Sequence, residues 1–306
     1  MESCLLIRPR TLWTYLQPTN MKGDQTKIVF FGTEPLAKDV LQSLKDANLT
    51  PSLIVSGQDT FDSKKNLVQP VEKTWAIENN IPVIQPKKLD QETIARLKEA
   101  NADVFVVASY GKILPQALLA LPKRGVVNLH PSLLPELRGP SPIRSAILND
   151  MRETGVSIML LDEAMDHGPI LANKLVDITP WPIPGRNLDS LLSKEGAELL
   201  ALTLPKWIKG EIEPKEQDHT KATYCKEFTK SDGEIDLNND QYQNYLKICA
   251  LDGWPGSYFF ITQGDKQIRI KITEAEFKDN KLIIKKVIPE GKKEMTFEDF
   301  KRGYKQ

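Results

Sequence analysis

An amide, an imidazole, a hydroxyl and a guanidinium fall close together in the stretch Val127 to Pro142, VNLHPSLLPELRGPSP, as Asn128, His130, Ser132 and Arg138. Asn128 and His130 stand at i and i+2 just after the apolar run Gly125-Val126-Val127, so at the end of an extended strand both side chains point to one side. Two N–H donors aimed at one point suit a reaction that builds negative charge on an oxygen, and the imidazole can also move a proton. The loop that follows is stiff. Pro131, Pro135, Pro140 and Pro142 fix φ at four points, and Gly139 permits a conformation that other residues avoid. Ser141-Pro142 ahead of the apolar-spaced IRSAIL predicts a helix with Ser141 as N-cap and Pro142 at its first position.

A strand that feeds such a loop belongs to a parallel α/β sheet, where sites gather at the carboxyl ends of strands. Lys27 to Phe31 is a β-branched and aromatic run ending at Gly32-Thr33, and helical spacing follows in EPLAKDVLQSLKDA. Strands at Leu53–Ser56, Ile81–Ile84 and Asp103–Ala108 then alternate with helices at Pro70–Asn79 and Gln91–Ala100. This alternation predicts a doubly wound, mainly parallel, Rossmann-like sheet. Only one glycine lies in the first turn, so the dinucleotide fingerprint fails and NAD is not expected. Further on, Thr154–Leu161 alternates and ends in the acidic turn Asp162–Gly168. Ile170–Ile178 reads as another strand, and Leu188–Ile208 as a long helix stopped by Gly210. Glu211–Thr223 is polar, contains a proline and lacks periodicity, which reads as a linker. After it YFFIT, KQIRIKITEAEF and KLIIKKVI alternate apolar and polar residues between GD and DN turns, as a small all-β domain would. The expected division is an extension over 1–26, a catalytic domain over 27–209, a linker over 210–224 and a β domain over 225–306.

At 306 residues two domains are expected. The 41 basic residues balance 41 acidic ones, so no overall field advertises a nucleic-acid partner. Residues 226–306 hold 15 Lys and Arg against 14 Asp and Glu, with a local basic cluster at Lys281, Lys285, Lys286, Lys292 and Lys293 that reads equally as the solvated face of a hairpin. Cys4, Cys225 and Cys249 show neither metal-ligand spacing nor an even count. A disulfide framework and a zinc site are therefore not expected, and a reducing, cytoplasmic setting is. No apolar run approaches the roughly 20 residues that cross a bilayer, so no membrane partner is expected. Residues 1–20, with one acid and two arginines, have the composition of a transit peptide; the plainer reading takes Met21 as the start.

Asn-x-His-Pro-Ser-Leu-Leu-Pro from Asn128, the Arg138-Gly139-x-x-Pro142 that follows, and TGVSIMLLDEAMDHGPIL from Thr154 to Leu171 make an ordered two-part signature that resembles the folate-dependent formyltransferase family. The similarity runs from KIVFFGT at Lys27 through DVFVVASYGKILP to the region of Trp254-Pro255, and is to the branch that formylates the methionine of charged initiator tRNA for translation initiation. It implies 10-formyltetrahydrofolate as donor, no metal, an OB-like fold for the second domain and a monomeric enzyme. The family's catalytic trio falls on Asn128, His130 and Asp166. In such a transfer the amide and an imidazolium stabilise the oxyanion of a tetrahedral intermediate, while the carboxylate keeps the imidazole charged and relays protons through water. Ser132, Leu133, Leu134 and Pro135 are implied as folate contacts, with Tyr110 and Gly111 as neighbours. Between Gly57 and Gln69, where the family carries a longer arginine-bearing insertion at the tRNA acceptor end, this chain has only Lys64 and Lys65. That contact is expected to differ.

Taken singly, these residues have plainer readings. A histidine at a strand end is often just a satisfied polar group, and an aspartate before His-Gly makes an Asx turn; the two-part signature favours chemistry. His167 in the turn and His219 in the linker read as surface residues. Two other functions compete. One is the same transfer to a small amine such as glycinamide ribonucleotide or an amino-sugar nucleotide, against which the β-rich module argues. The other is a non-catalytic nucleic-acid binder, which would have no need of all three trio residues.

Overall fold

Every residue of strand β1 (Ile28–Gly32) is buried, as befits a strand covered on both faces, and the computed structural model places it inside a seven-stranded sheet. The structure describes residues 26–33, 35–62 and 64–303; the expectation for residues 1–20 falls outside them. After β1 come α1 (Pro35–Asp46), β2 (Leu53–Val55), the short strands β3 (Thr60–Phe61) and β4 (Leu67–Val68), α2 (Val71–Glu78), β5 (Val83–Ile84) and α3 (Gln91–Glu99). The chain continues through β6 (Val104–Ala108), α4 (Gln116–Leu119), β7 (Val126–His130), α5 (Pro142–Leu148), β8 (Thr154–Leu160), β9 (Ile170–Val176) and α6 (Gly185–Lys209). The sheet order is β5-β2-β1-β6-β7-β8-β9. Pairing is parallel from β5 to β7 and antiparallel between β7, β8 and β9.

Strand order reverses between β1 and β6, which is where an open α/β sheet leaves a crevice. Thr33 ties the two strand ends together, its N–H and Oγ both donating to the Ser109 carbonyl at 3.0 and 2.6 Å. Alternate residues of β1 serve opposite layers. Ile28 and Phe30 pack with Val40, Leu41 and Leu44 of α1 and Leu200 and Leu204 of α6. Val29 and Phe31 pack with Phe105, Leu97 of α3 and Leu118 of α4. Helix α6 ends at Gly210, whose φ of 77° makes the left-handed C-cap that the sequence predicts.

Beyond α6 the chain does not hang free. Lys215 and Ile170 exchange backbone hydrogen bonds at 2.8 and 2.9 Å, Arg138 N–H donates to Thr223 O at 2.9 Å, and Cys225 N–H to Arg138 O at 2.8 Å. The segment read as a linker is thus a strap laid across the proline-rich loop, because its polar groups find backbone partners there. Helix α7 (Gln241–Ala250), capped by the Asp240 carboxylate on Gln243 N–H, buries Leu246, Cys249 and Ala250 against Ile147 of α5 and Leu188 and Leu192 of α6. The expected β module follows as β10 (Ser257–Gln263), β11 (Lys266–Lys278), β12 (Lys281–Pro289) and β13 (Met295–Thr296), an antiparallel sheet in sequence order, with α8 (Phe297–Gly303) after it. Its core is Ile235, Phe259, Ile270, Ile272, Val287 and Phe300. Among the described residues no helix is long and apolar enough to cross a membrane.

Candidate active site

β7 delivers Asn128 and His130 to its carboxyl end on one face, in register with Met159 and Ser157 of β8. Both are buried, yet both line a cleft of about 420 Å³ together with Tyr110, Gly111, Gly139 and Asp166. His130 Nε2 lies 3.0 Å from the Leu137 carbonyl. A carbonyl only accepts, so this nitrogen carries the proton. Nδ1 then faces Asp166, 3.7 Å from Oδ2, inside ion-pair range but longer than a hydrogen bond. Asp166 sits in the left-handed region at φ 48°, and its Oδ2 accepts the Gly139 N–H at 2.8 Å. The Asn128 amide has no hydrogen-bond partner among the described residues, which leaves its donors to a ligand.

Ser132 and Arg138 do not join this group. Ser132 Oγ donates to Glu136 O at 2.6 Å, Ser157 Oγ donates to Ser132 O at 2.7 Å, and Leu134 N–H donates to Ser157 Oγ at 3.0 Å. The polar groups of the turn are spent on the turn itself and on β8. Ser132, Leu133, Leu134 and Pro135, expected as folate contacts, line neither this cleft nor the wider one beside it, whereas Tyr110 and Gly111 line the cleft. Ser141 takes the N-cap position of α5, but its side chain makes no capping bond; its N–H donates to Cys225 Sγ at 3.2 Å.

Arg138 is 1% exposed. Its Nε and Nη2 donate to Gln217 Oε1 at 3.1 and 2.7 Å, Nη1 donates to Tyr224 OH at 3.3 Å, and Nη2 lies 2.8 Å from His219 Nδ1. No carboxylate pairs with it among the described residues. Since a guanidinium only donates, His219 accepts at Nδ1. Its ring also stacks on His167, centroids 4.0 Å apart and 2° from parallel, while His167 Nδ1 is 2.7 Å from Asp162 Oδ2. His219 is exposed, as expected, but its ring is held between Arg138 and His167. Gln217 carries no mark in the sequence, since nothing in a polar, aperiodic segment points to a residue whose partners lie far back in the chain.

Tyr110 walls the cleft with its hydroxyl buried and unpartnered; burial pushes that hydroxyl up to about 12. Its ring meets Phe31 edge-on at 5.3 Å. The Cys225 thiol is likewise pushed up, chiefly by burial. The wider cleft, about 750 Å³, shares Ser109, Gly111, Pro131 and Pro140 with the first and runs toward Arg144, Phe228 and Trp254. Among the described residues no three His, Cys, Asp or Glu side chains are grouped to hold a metal.

Residues 26–202 match the family model described as formyl transferase. The chain is 35% identical to the methionyl-tRNA formyltransferase of Sulfurihydrogenibium sp., over 91% of this chain and 97% of that one. It is 41% identical to the methionyl-tRNA formyltransferase of Chloroflexus aurantiacus over 76% of each. A solved methionyl-tRNA formyltransferase from Clostridium thermocellum superposes with a TM-score of 0.59 at 19% identity, covering 86% of this chain and 98% of that one, a likeness of fold.

Proposed function

The chain belongs to the formyl transferase family, and from that premise we propose that it moves the formyl group of 10-formyltetrahydrofolate to the amino group of methionine on charged initiator tRNA. The observation that carries this reading is the convergence of Asn128, His130 and Asp166, from two separate stretches of chain, on one cleft.

Folate occupies the smaller cleft, its formyl carbon beside the trio. The amine enters from the wider cleft, which meets the first at Ser109, Gly111 and Pro131 and opens toward Trp254 ahead of the β module. Attack makes a tetrahedral centre whose oxygen takes up negative charge. The unpartnered Asn128 amide and an imidazolium at His130 donate to that oxygen, and removal of one such donor costs around 10²- to 10³-fold in turnover. Asp166 balances the imidazolium and receives, through water, the proton shed by the amine. Collapse expels the N10 amine of tetrahydrofolate, which is reprotonated. Ser132–Pro135 brace the loop through hydrogen bonds to Glu136 and to Ser157 of β8. All three reacting groups come from one chain, so a monomer suffices, and a charged tRNA substrate places the enzyme in the compartment of translation.

The test is to incubate pure protein with 10-formyltetrahydrofolate and either charged initiator tRNA or glycinamide ribonucleotide. A formyl group is expected on the methionyl-tRNA; a formyl group only on the ribonucleotide would replace this reading with the small-amine one.

A further inference from the structure

We propose, resting on the function just given, that Gln217 is a positioning residue for the transfer: it holds the His130 loop and the Asp166 turn in register. Gln217 is 5% exposed and spends every hydrogen-bonding capacity that its amide has. Oε1 accepts twice from Arg138, at 3.1 and 2.7 Å, and Nε2 donates to the carbonyls of Asp166 and Gly168 at 2.9 and 2.7 Å. The guanidinium only donates and the carbonyls only accept, so the amide has one possible orientation.

The residues it grips are those on which the trio depends. Arg138 stands between Leu137, whose carbonyl accepts from His130 Nε2, and Gly139, whose N–H donates to Asp166 Oδ2. On the other side Gln217 binds the carbonyl of Asp166 itself, a residue held at positive φ. The bonds close a ring: Gln217 to Arg138, along the backbone to Gly139, across to Asp166, and back to Gln217. Loosening one side lets the 3.7 Å spacing of His130 and Asp166 drift without removing either group. The residue types nearest in shape do not reproduce these bonds. Glutamate would set an oxygen against two carbonyls, methionine fills the space without bonding, and asparagine is one methylene short.

The full-length chain is compared with Gln217→Met, Gln217→Glu, Asp166→Asn and the double variant Gln217→Met/Asp166→Asn, using 10-formyltetrahydrofolate and charged initiator tRNA. Each Gln217 variant is expected to lower kcat by about 10- to 100-fold, the scale of a misplaced reacting group, with both KM values within about threefold. In the Asp166→Asn background Gln217→Met should cost less than about threefold more, because the residue it positions is already disabled. Wild-type kcat in Gln217→Met, a loss in KM alone, or an undiminished loss in the Asp166→Asn background would overturn the proposal. Gln217→Glu keeps both acceptor bonds to Arg138, so it is the variant to read if Gln217→Met does not fold. Amide exchange at Gly139, whose N–H is bonded to Asp166, separates the two readings. If the unsubstituted chain forms no formylmethionyl-tRNA the function fails by itself, whereas exchange as slow in Gln217→Glu as in the parent overturns the clamp.

Discussion

The Gly139 N–H reaches the Asp166 carboxylate at 2.8 Å across 27 positions of sequence, so the loop after β7 and the turn after β8 are fixed to one another at the carboxylate that faces His130. Gly139 has φ 114°, and a Cβ there would stand 2.6 Å from the Cys225 carbonyl oxygen. Gly139→Ala is expected to lose roughly 1–3 kcal/mol of stability from backbone strain and to lose turnover as well. Urea unfolding beside an activity assay checks this; an unchanged midpoint would mean the strap yields at Cys225.

His130→Ala and Asp166→Asn should each lower turnover at least ~10²-fold while folate affinity stays within a few-fold, since both act on charge that develops during reaction. Single-turnover rates and folate titration check it. Near-normal turnover in either variant would remove that residue from the mechanism.

Asn128 behaves differently from a core amide, because its side chain has no hydrogen-bond partner among the described residues to give up when removed. Asn128→Ala is expected to keep or raise the thermal midpoint while turnover falls ~10²- to 10³-fold. A clear drop in the midpoint would show that the amide serves the fold.

Away from the site, Asp103 accepts from the Lys27 N–H and from Lys123 Nζ, each at 2.9 Å. These contacts, the Lys27 bond foremost, hold its carboxyl below the usual carboxylate range. A depressed folded-state pKa adds stability that is present above the unfolded value of about 3.9 and is lost as pH falls through the folded one. Asp103→Asn should therefore be less stable than the parent at pH 7, and the difference should shrink once pH drops below that unfolded value. A gap that persists in acid would assign the effect to shape rather than charge.

Lys285 and Lys286 pair with Glu276 and Glu274 across the sheet at 2.8 and 2.7 Å, so the basic cluster of the β module is partly neutralised. Each phosphate contact adds a log–log salt slope of order −0.7 to −0.9. Between low and moderate salt the KM for charged tRNA should rise only modestly, and Lys285→Ala/Lys286→Ala should leave that slope nearly unchanged. A slope that drops by one contact or more in the double variant would make these lysines RNA ligands.

What the sequence made legible depended on how local the physics is. β1, β6 and β7 stand out because helices on both faces leave no position for a polar side chain until the strand end. The shared face of Asn128 and His130 follows from strand geometry alone. Arg138 was legible as a guanidinium beside the site but not as a buried one, since its partners Gln217 and His219 arrive some eighty positions later. The strap escaped for the same reason: hydrogen bonds to distant carbonyls leave no periodicity. Helix α7 is marked locally only by its cap at Asp240; its apolar face is defined by α5 and α6.

The strap gives synthesis an order. A ribosome releases the seven strands and α6 first, and at that moment the nascent chain has its sheet but neither Gln217 beneath Asp166 nor Thr223 and Cys225 along Arg138. The bonds that tie the Arg138 loop and the Asp166 turn together form only once the polypeptide through Cys225 has left the tunnel and folded back. A fragment ended at Gly210 would be caught permanently at that stage, short of its catalytic register as well as of its β module.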